Sequence, residues 1–221
     1  MREGTIVVID YHKGNLQSVA RGVAAAGGSV RVSDDPAKIS QASGLVLPGV
    51  GSFEDAMSYL HQSGQAQAIV DSIAEGVPFL GICLGMQVLF ERGNERSSEP
   101  SHTWGGEWVP GLGVIKGSAT RLESPRLKVP HVGWDQVHLT PLGERCPLFV
   151  DVPEGANAYF THSYAAGDDV DPACITAKTH YVRSFASGVW KGNVFGVQFH
   201  PEKSSGMGAR ILQNFVGIVR G

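Results

Sequence analysis

The sequence predicts an α/β protein with three layers, in which a mostly parallel central sheet is flanked by helices. Strand-like apolar runs alternate with helical patterns over the first 91 residues, which is typical of a parallel sheet with both faces covered. After about residue 111 the pattern changes to short strands, so we expect extra antiparallel strands in the second half. A length of 221 residues with 42% hydrophobic content fits a single domain over residues 1–221.

The first half is interpreted as a succession of strands and helices. An apolar strand at residues 5–10 leads through a short loop to Asn15, a good N-cap for a helix that runs to about Ala26. Gly27 and Gly28 would end that helix. The next expected elements are strands at residues 29–33 and 44–47, helices at residues 54–60 and 65–75, and a strand at residues 77–82.

The second half is predicted to be rich in strands and to end in a helix. Residues 92–111 contain many Gly, Ser, Pro and charged residues, which indicates a long surface loop between the two halves. Strands are expected at residues 113–115, 119–122, 134–139, 158–164, 174–178, 185–191 and 194–199. Residues 206–220 predict an amphipathic helix, whose apolar face carries Leu212, Phe215, Val216 and Val219.

The segment VPFLGICLGMQVLFE at residues 77–91 predicts a buried strand that leads through Cys83 into a helix extending to Glu91. Gly81 and Gly85 lie two residues from the cysteine on either side, which is the spacing of a nucleophile elbow. A helix N-terminus would stabilise a thiolate there, and the N–H of Leu84 could donate to an oxyanion. A buried structural cysteine is an equally good interpretation of this segment alone, so a base must be found elsewhere.

The segment NVFGVQFHPE places His200 and Glu202 near the end of an apolar strand. Residues two apart in an extended chain point the same way, so the imidazole and the carboxylate can project together. They could serve Cys83 as base and orienting acid in a catalytic triad. A surface pair or a metal fragment are the alternatives. The other histidines form no pattern of metal ligands, so we expect no metal site.

The segment PGVGSF at residues 48–53 is a Gly-rich turn at a strand end. It lacks the Lys-Ser/Thr ending of a P-loop and the GxGxxG spacing of a dinucleotide site. Beside a nucleophile, its N–H groups would complete an oxyanion hole, whereas without one it would be a tight turn without chemistry. The carboxyl ends of parallel strands form the site in such sheets, and Asp10, Pro48 and Cys83 all fall there.

The composition narrows the classes of function. A formal charge of −3 and the lack of a Lys/Arg cluster argue against a protein that binds nucleic acid or a membrane surface. The odd number of cysteines, Cys83, Cys146 and Cys174, has no short paired spacing and indicates a reducing compartment. No run has the length of a membrane span, and the N-terminal residues lack a signal-peptide pattern, so we expect a cytoplasmic protein.

The segments PGVGSF, GICLGMQ and QFHPEKSS, in this order, resemble the class I glutamine amidotransferases. Their combination is far more specific than any one motif. The resemblance extends in particular to the glutaminase subunits of imidazole glycerol phosphate synthases, through DYxxGN at residues 10–15, PHxGW at 130–134 and YFxHSY at 159–164. It covers nearly the whole chain, and only the loop at residues 92–108 looks longer than usual.

This resemblance implies that glutamine is hydrolysed through a thioester on Cys83, with His200 as acid and base and Glu202 as its orienting group. It implies that the ammonia passes to a (β/α)8-barrel cyclase subunit in a heterodimer, which makes imidazole glycerol phosphate and an aminoimidazole carboxamide ribotide in histidine biosynthesis. No cofactor is implied. The implied glutamine-binding residues are Gly49, Val50, Gly51, Leu84, Gln87, Ser163 and Tyr164. The implied residues of the partner interface are Asn15, Trp134, Tyr159 and Lys203.

Two other functions remain open from the sequence. One is an amidotransferase subunit of another synthase, for example in anthranilate or aminodeoxychorismate formation, and the other is a scaffold without catalysis. Core packing is the alternative role for Trp134, and an ordinary strand end is the alternative for Ser163 and Tyr164. Asp135 stands where the family often has Asn, and Lys13 where a small or apolar residue is common. We expect both to affect the partner interface rather than the thiol.

Overall fold

A computed structural model of the chain describes residues 4–97 and 104–221, so part of the predicted loop at residues 92–111 lies outside the described residues. The first half contains β1 (Thr5–Ile9), α1 (Leu16–Ala25), β2 (Ser29–Ser33), α2 (Pro36–Gln41), β3 (Gly44–Gly49), α3 (Phe53–Gln62), α4 (Gln65–Ala74), β4 (Phe79–Cys83) and α5 (Leu84–Gln87). The second half contains β5 (Phe90–Gly93), β6 (Val109–Pro110), β7 (Ile115–Arg121), β8 (His131–Leu139), β9 (Ala156–His162), β10 (Tyr164–Ala166), β11 (Ile175–His180), β12 (Ser184–Lys191), β13 (Val194–Val197) and α6 (Ser205–Arg220).

The main sheet has nine strands in the order β2-β1-β3-β4-β13-β12-β11-β8-β9. The strands from β2 to β13 pair in parallel, and those from β13 to β9 pair antiparallel. A second sheet has four strands in the order β10-β7-β5-β6. The predicted α/β class, with a mostly parallel sheet and antiparallel strands added in the second half, is therefore confirmed.

Two hydrophobic clusters lie on opposite faces of the main sheet. Along β1 the side chains of Val7 and Ile9 enter one cluster, and those of Ile6 and Val8 enter the other. The first cluster includes residues of α2, α3 and α4, and the second includes residues of α1 and α6. This double burial explains why the parallel strands read as continuous apolar runs rather than as alternating ones.

The helix predicted to extend from Leu84 to Glu91 is shorter than expected. Only residues 84–87 are α-helical, and β5 begins at Phe90. The carbonyl groups of Val88, Leu89 and Glu91 accept hydrogen bonds from residues 111–115 instead of continuing the helix. The apolar run was compatible with either structure, and pairing with distant residues decided between them.

Several further elements differ from prediction. Residues 36–41 form a short helix with Asp35 as N-cap and Pro36 as first residue, and we had not predicted it. The strands expected at residues 113–115 and 119–122 are one strand, β7, and short β5 and β6 strands pair at the ends of the predicted loop. The strand expected at residues 158–164 is interrupted at Ser163, where the chain passes from the main sheet into the second sheet.

Among the described residues, no helix combines the length and the apolar character that are needed to cross a membrane.

Candidate active site

Cys83 lies at the carboxyl end of β4 in a strained backbone conformation, as the elbow motif predicted. Its φ is +55°, a value that costs a residue with a side chain about 1–3 kcal/mol. The two flanking glycines allow this geometry. A Cβ atom at Gly85 would overlap the backbone carbonyl of Leu47 on β3, and one at Gly81 would overlap the carbonyl of Gly85. The turn can therefore form only where both flanking residues lack side chains.

His200 and Glu202 form a buried pair. The Nδ1 atom of His200 lies 2.9 Å from Oε1 of Glu202, and both side chains are almost fully buried. The strand expected to reach residue 199 ends at Val197, so the pair lies in the turn that follows β13. This turn is anchored because the N–H of His200 donates to the carbonyl of Tyr159 and the hydroxyl of Ser204 donates to the carbonyl of His200.

The environment of His200 favours its charged form. Burial alone would lower the pKa of His200, but the neighbouring Cys83 and Glu202 outweigh it and raise the pKa to about 10. Its Nε2 atom is buried and has no hydrogen-bond partner among the described residues. With Nδ1 directed at Glu202, Nε2 is the nitrogen left to exchange a proton at the thiol.

A cavity of about 600 Å³ opens at the thiol of Cys83. Its lining includes six of the seven residues that the resemblance implied for glutamine, namely Val50, Gly51, Leu84, Gln87, Ser163 and Tyr164. The seventh, Gly49, does not line the cavity, and it pairs with Cys83 between the neighbouring strands β3 and β4. The parts of the chain that carry these residues are up to 115 positions apart. The carboxyl ends of the parallel strands β3 and β4 supply Gly49, Val50, Gly51, Leu84 and Gln87, and the passage from β9 to β10 supplies Ser163 and Tyr164.

Tyr11 holds the Gly-rich loop next to the cavity, and the sequence analysis missed it. Its hydroxyl accepts a hydrogen bond from the N–H of Val50 at 2.9 Å and donates to the carbonyl of Val50 at 3.1 Å. The N–H that we expected in the oxyanion hole is thus engaged by a side chain. Burial is the main reason that the pKa of Tyr11 lies well above its ordinary value, so the hydroxyl remains protonated.

The amide of Gln87 has both its hydrogens engaged. Its Nε2 atom donates to the carbonyl of Tyr164 at 2.7 Å and to Oε1 of Gln198 at 3.0 Å. The Nε2 atom of Gln198 in turn lies 3.5 Å from the sulfur of Cys83. Gln198 is fully buried and was not predicted, although it lies two residues before His200 in the motif that we used.

The acidic side chains of Asp55 and Glu95 also line the cavity. They were missed because Asp55 lies on a predicted helix and Glu95 in the predicted surface loop. Burial raises the pKa of Glu95 to about 7, with a smaller contribution from the charge of Asp55. The N–H of Phe53 donates to Glu95. Its neighbour Arg96 lies 3.0 Å from the buried Glu54, and this contact holds the start of the loop against α3.

Three of the four predicted interface residues form one surface cluster, the aromatic-lysine cluster of Trp134, Tyr159 and Lys203. The rings of Trp134 and Tyr159 are 6.1 Å apart, and Nζ of Lys203 lies 5.6 Å from the ring of Tyr159. Trp134 is 53% exposed, so core packing was the wrong alternative for it. The fourth residue, Asn15, caps α1, since its side chain accepts a hydrogen bond from the N–H of Ser18.

Of the two departures from the family pattern, Lys13 contacts the cavity wall and Asp135 contacts a buried histidine outside it. The Nζ atom of Lys13 lies 2.8 Å from Oδ2 of Asp55, which lines the cavity, and the Lys13 stem lies beside Gly51. Asp135 lies 3.4 Å from Nε2 of the buried His131.

The described residues include no group of three or more His, Cys, Asp or Glu side chains arranged to hold a metal ion. His102, which the sequence analysis had considered, lies outside the described residues.

Comparison with known proteins assigns the family. The family model described as "Glutamine amidotransferase class-I" matches residues 7–218. The HisH subunit of imidazole glycerol phosphate synthase from Syntrophotalea carbinolica is 43% identical over 210 residues, which cover 95% of this chain and 98% of that protein. The HisH subunit from Moorella thermoacetica is 44% identical over 215 residues, which cover 97% of this chain and 95% of that protein.

Solved structures show the same fold at low sequence identity. The glutaminase domain of Trypanosoma brucei CTPS with bound acivicin superposes with a TM-score of 0.64 at 16% identity, covering 98% of this chain and 93% of that one. A structure described as glutamine amidotransferase gives a TM-score of 0.68 at 15% identity, covering 97% and 99%. The chain therefore belongs to the class I glutamine amidotransferase family and, within it, to the HisH subunits of imidazole glycerol phosphate synthase.

Proposed function

We propose that this chain is the glutaminase subunit of an imidazole glycerol phosphate synthase, and that Cys83, His200 and Glu202 are its catalytic triad. The observation that carries the proposal is the strained Cys83 at the mouth of a 600 Å³ cavity, close enough to the buried His200–Glu202 pair to raise the pKa of His200. Identity above 40% to HisH subunits over nearly the whole chain supports it.

The triad accounts for each bond that changes. The Cys83 thiolate attacks the carboxamide carbon of glutamine, and His200 donates its proton to the departing nitrogen, so that ammonia leaves and a thioester forms. Water then attacks the thioester while His200 takes its proton. Glutamate leaves, and the sulfur is regenerated as a thiolate beside an imidazolium. Glu202 keeps the tautomer and orientation of His200 throughout.

The cavity offers complementary groups for glutamine. Because both amide hydrogens of Gln87 are engaged, its Oε1 atom is the one left to contact substrate, and it would accept from the carboxamide or ammonium group. Glu95 provides a carboxylate for the ammonium group. The N–H of Leu84 and the loop at Gly49, Val50 and Gly51 would stabilise the oxyanion, for which the N–H of Val50 must leave Tyr11.

The partner is a (β/α)8-barrel cyclase subunit that receives the ammonia and forms imidazole glycerol phosphate and the aminoimidazole carboxamide ribotide. The proposed docking face contains Asn15 and the aromatic-lysine cluster. An exposed Trp packed edge-on against a Tyr offers the aromatic side chains in which interface hot spots are enriched, which supports this assignment. Residues 1–221 would act as one amidotransferase domain in the cytoplasm.

The test is the rate of glutamate and ammonia release from glutamine, measured with and without purified cyclase. We expect release to require the thiol, so Cys83→Ala should abolish glutamine-dependent synthesis of imidazole glycerol phosphate while ammonia-dependent synthesis by the partner is retained. Glutamine-dependent turnover by Cys83→Ala would refute the mechanism. Activity with a different synthase, but none with the cyclase, would refute the proposed partner.

A further inference from the structure

A line of hydrogen-bonding groups joins the surface at Asp135 to the glutamine cavity. Oδ2 of Asp135 lies 3.4 Å from Nε2 of His131, and Nδ1 of His131 lies 3.3 Å from Nε2 of His162. Nδ1 of His162 lies 2.8 Å from the carbonyl oxygen of Tyr164. We call Asp135, His131 and His162 the histidine relay.

The two rings of the relay are held in place by aromatic packing. The ring of His131 is stacked between Phe160, at 4.9 Å, and Tyr181, at 4.0 Å. The ring of His162 packs edge-on against Phe185 at 5.3 Å. Both histidines are buried, so neither ring can turn toward water to satisfy its nitrogens.

The hydrogens of the relay can be counted from its inner end. A backbone carbonyl only accepts, so His162 must carry its hydrogen on Nδ1 and present a bare Nε2 to His131. His131 must then carry its hydrogen on Nδ1, which leaves a bare Nε2 facing the carboxylate of Asp135. The two inner contacts use one hydrogen from each neutral imidazole, so the outer contact between Nε2 of His131 and Oδ2 of Asp135, at 3.4 Å, has none. One extra proton between Nε2 of His131 and Asp135 would make this contact an ion pair.

The inner end of the relay is part of the cavity. The Tyr164 carbonyl that accepts from His162 also accepts from Nε2 of Gln87, and Gln87 is joined through Gln198 to Cys83. His162, Gln87 and Tyr164 all line the cavity. Through the Tyr164 carbonyl, the relay is therefore linked to the Gln87 side chain, which we propose to contact glutamine.

We propose that Asp135, His131 and His162 are positioning residues that hold the Tyr164 carbonyl and Gln87 for glutamine binding, and that the relay takes up one proton at its Asp135 end. This inference rests on the proposed function and deepens it. Asn at position 135 could donate to His131 through its amide, so it would complete the relay without the extra proton. Asp135 thus makes the relay of this chain sensitive to pH.

The surrounding charges place the extra proton at the outer end. Burial lowers the pKa of His131, and Asp135 opposes that effect. Burial is also the main cause that lowers the pKa of His162 to about 3, and the charges of His131, His200 and Arg183 add to it. Tyr181 is the other titratable group packed against His131. His162 therefore stays neutral, and proton uptake falls on His131 beside Asp135.

The first test follows the imidazole nitrogens by NMR in the full chain labelled with ¹⁵N-histidine. We expect Asp135→Asn to lower the titration midpoint of His131 by about one pH unit, because it removes the charge that favours the imidazolium. His162 should keep one neutral tautomer throughout. The matched control is Glu154→Gln, which alters the exposed pair that Glu154 forms with His138 on the same strand as His131, and it should leave the His131 midpoint unchanged.

The second test measures KM and kcat for glutamine with the cyclase between pH 4.5 and 7, because burial holds the pKa of His131 below its ordinary value. We expect the KM of the unaltered chain to rise with pH over this range, and to rise roughly two- to tenfold more than the KM of Asp135→Asn. A factor of this size corresponds to the loss of one hydrogen bond. The value of kcat should change to the same extent in both chains. Glu154→Gln should match the unaltered chain.

The two tests address different parts of the proposal. An unchanged His131 midpoint in Asp135→Asn would overturn the shared proton, and identical KM profiles would overturn the positioning role. Absence of glutamine hydrolysis in every chain would refute the proposed function, and the NMR titration would still decide the relay.

Discussion

The turn at Cys83 and the Gly-rich loop at residues 48–52, the proposed oxyanion loop, lie at the ends of the neighbouring strands β4 and β3. They are held in place in different ways. Cys83 is positioned by backbone packing, since Gly81 and Gly85 lie against backbone carbonyls with no room for a side chain. The loop at residues 48–52 is held by side chains from another loop, since Tyr11 bonds to Val50 and the Lys13 stem lies beside Gly51. The position of Cys83 is thus built into the sheet, while the N–H of Val50, the proposed oxyanion donor, is held by side-chain contacts that can be exchanged.

The largest expected effect comes from breaking the elbow with Gly85→Ala. The added Cβ would overlap the Leu47 carbonyl, so we expect the free energy of unfolding to fall by about 3 kcal/mol and activity to be lost. Chemical denaturation measures the free energy of unfolding. Gly217→Ala in α6 is the control, because its Cβ would meet no atom within 4 Å and should leave stability equal or higher. Equal stability of the two variants would contradict backbone packing as the cause.

Removing the charge of Glu202, the proposed orienting group of His200, should reduce activity and leave the turn at Cys83 folded. In Glu202→Gln the pKa of His200, now raised to about 10, should fall, because one of the two groups that raise it is neutralised. The raised pKa keeps His200 protonated at neutral pH, so the variant should lose the imidazolium as pH rises through a lower midpoint. We expect kcat to fall roughly a hundredfold or more. A kcat–pH profile unchanged from the parent would exclude this role for Glu202.

On the oxyanion loop, Tyr11→Phe should release the N–H of Val50. Because this N–H could then donate to the oxyanion, we expect glutamine hydrolysis without the partner to rise by about tenfold, part of the value of one oxyanion donor. The loss of two hydrogen bonds should lower stability by roughly 1–2 kcal/mol. Rate and stability should therefore move in opposite directions. A fall in both would mean that Tyr11 supports the active conformation.

The smallest effect is expected from Lys13→Met, which keeps most of the stem and removes the charge. Asp55 would then face the cavity without its partner, so we expect KM for glutamine to rise about twofold with little change in kcat or stability. Adding Asp55→Asn should restore KM. Arg210→Met, at the exposed Arg210–Asp151 pair, is the control. Equal KM values in the Lys13 and Arg210 variants would exclude a role for Lys13 at the cavity.

The fold class and most strands were predictable, because residues of the parallel sheet are apolar on both faces and the helices are amphipathic. The errors fall where an apolar run suits two structures. Residues 88–91 could continue a helix, but they pair with residues 111–115. At Ser163 the chain changes sheets, which no local pattern marks.

By itself, the sequence determined the motif residues and the chemistry they suggest: Cys83 between its glycines, His200 with Glu202, and the Gly-rich loop. These depend on spacing within a few residues, which a local pattern records. Only the tertiary structure decided that Tyr11 holds Val50, that Gln198 approaches Cys83, and that Asp135 leads to the cavity through two histidines. Such partners are 31 to 115 residues apart, and the order of strands in the sheet alone brings them into contact.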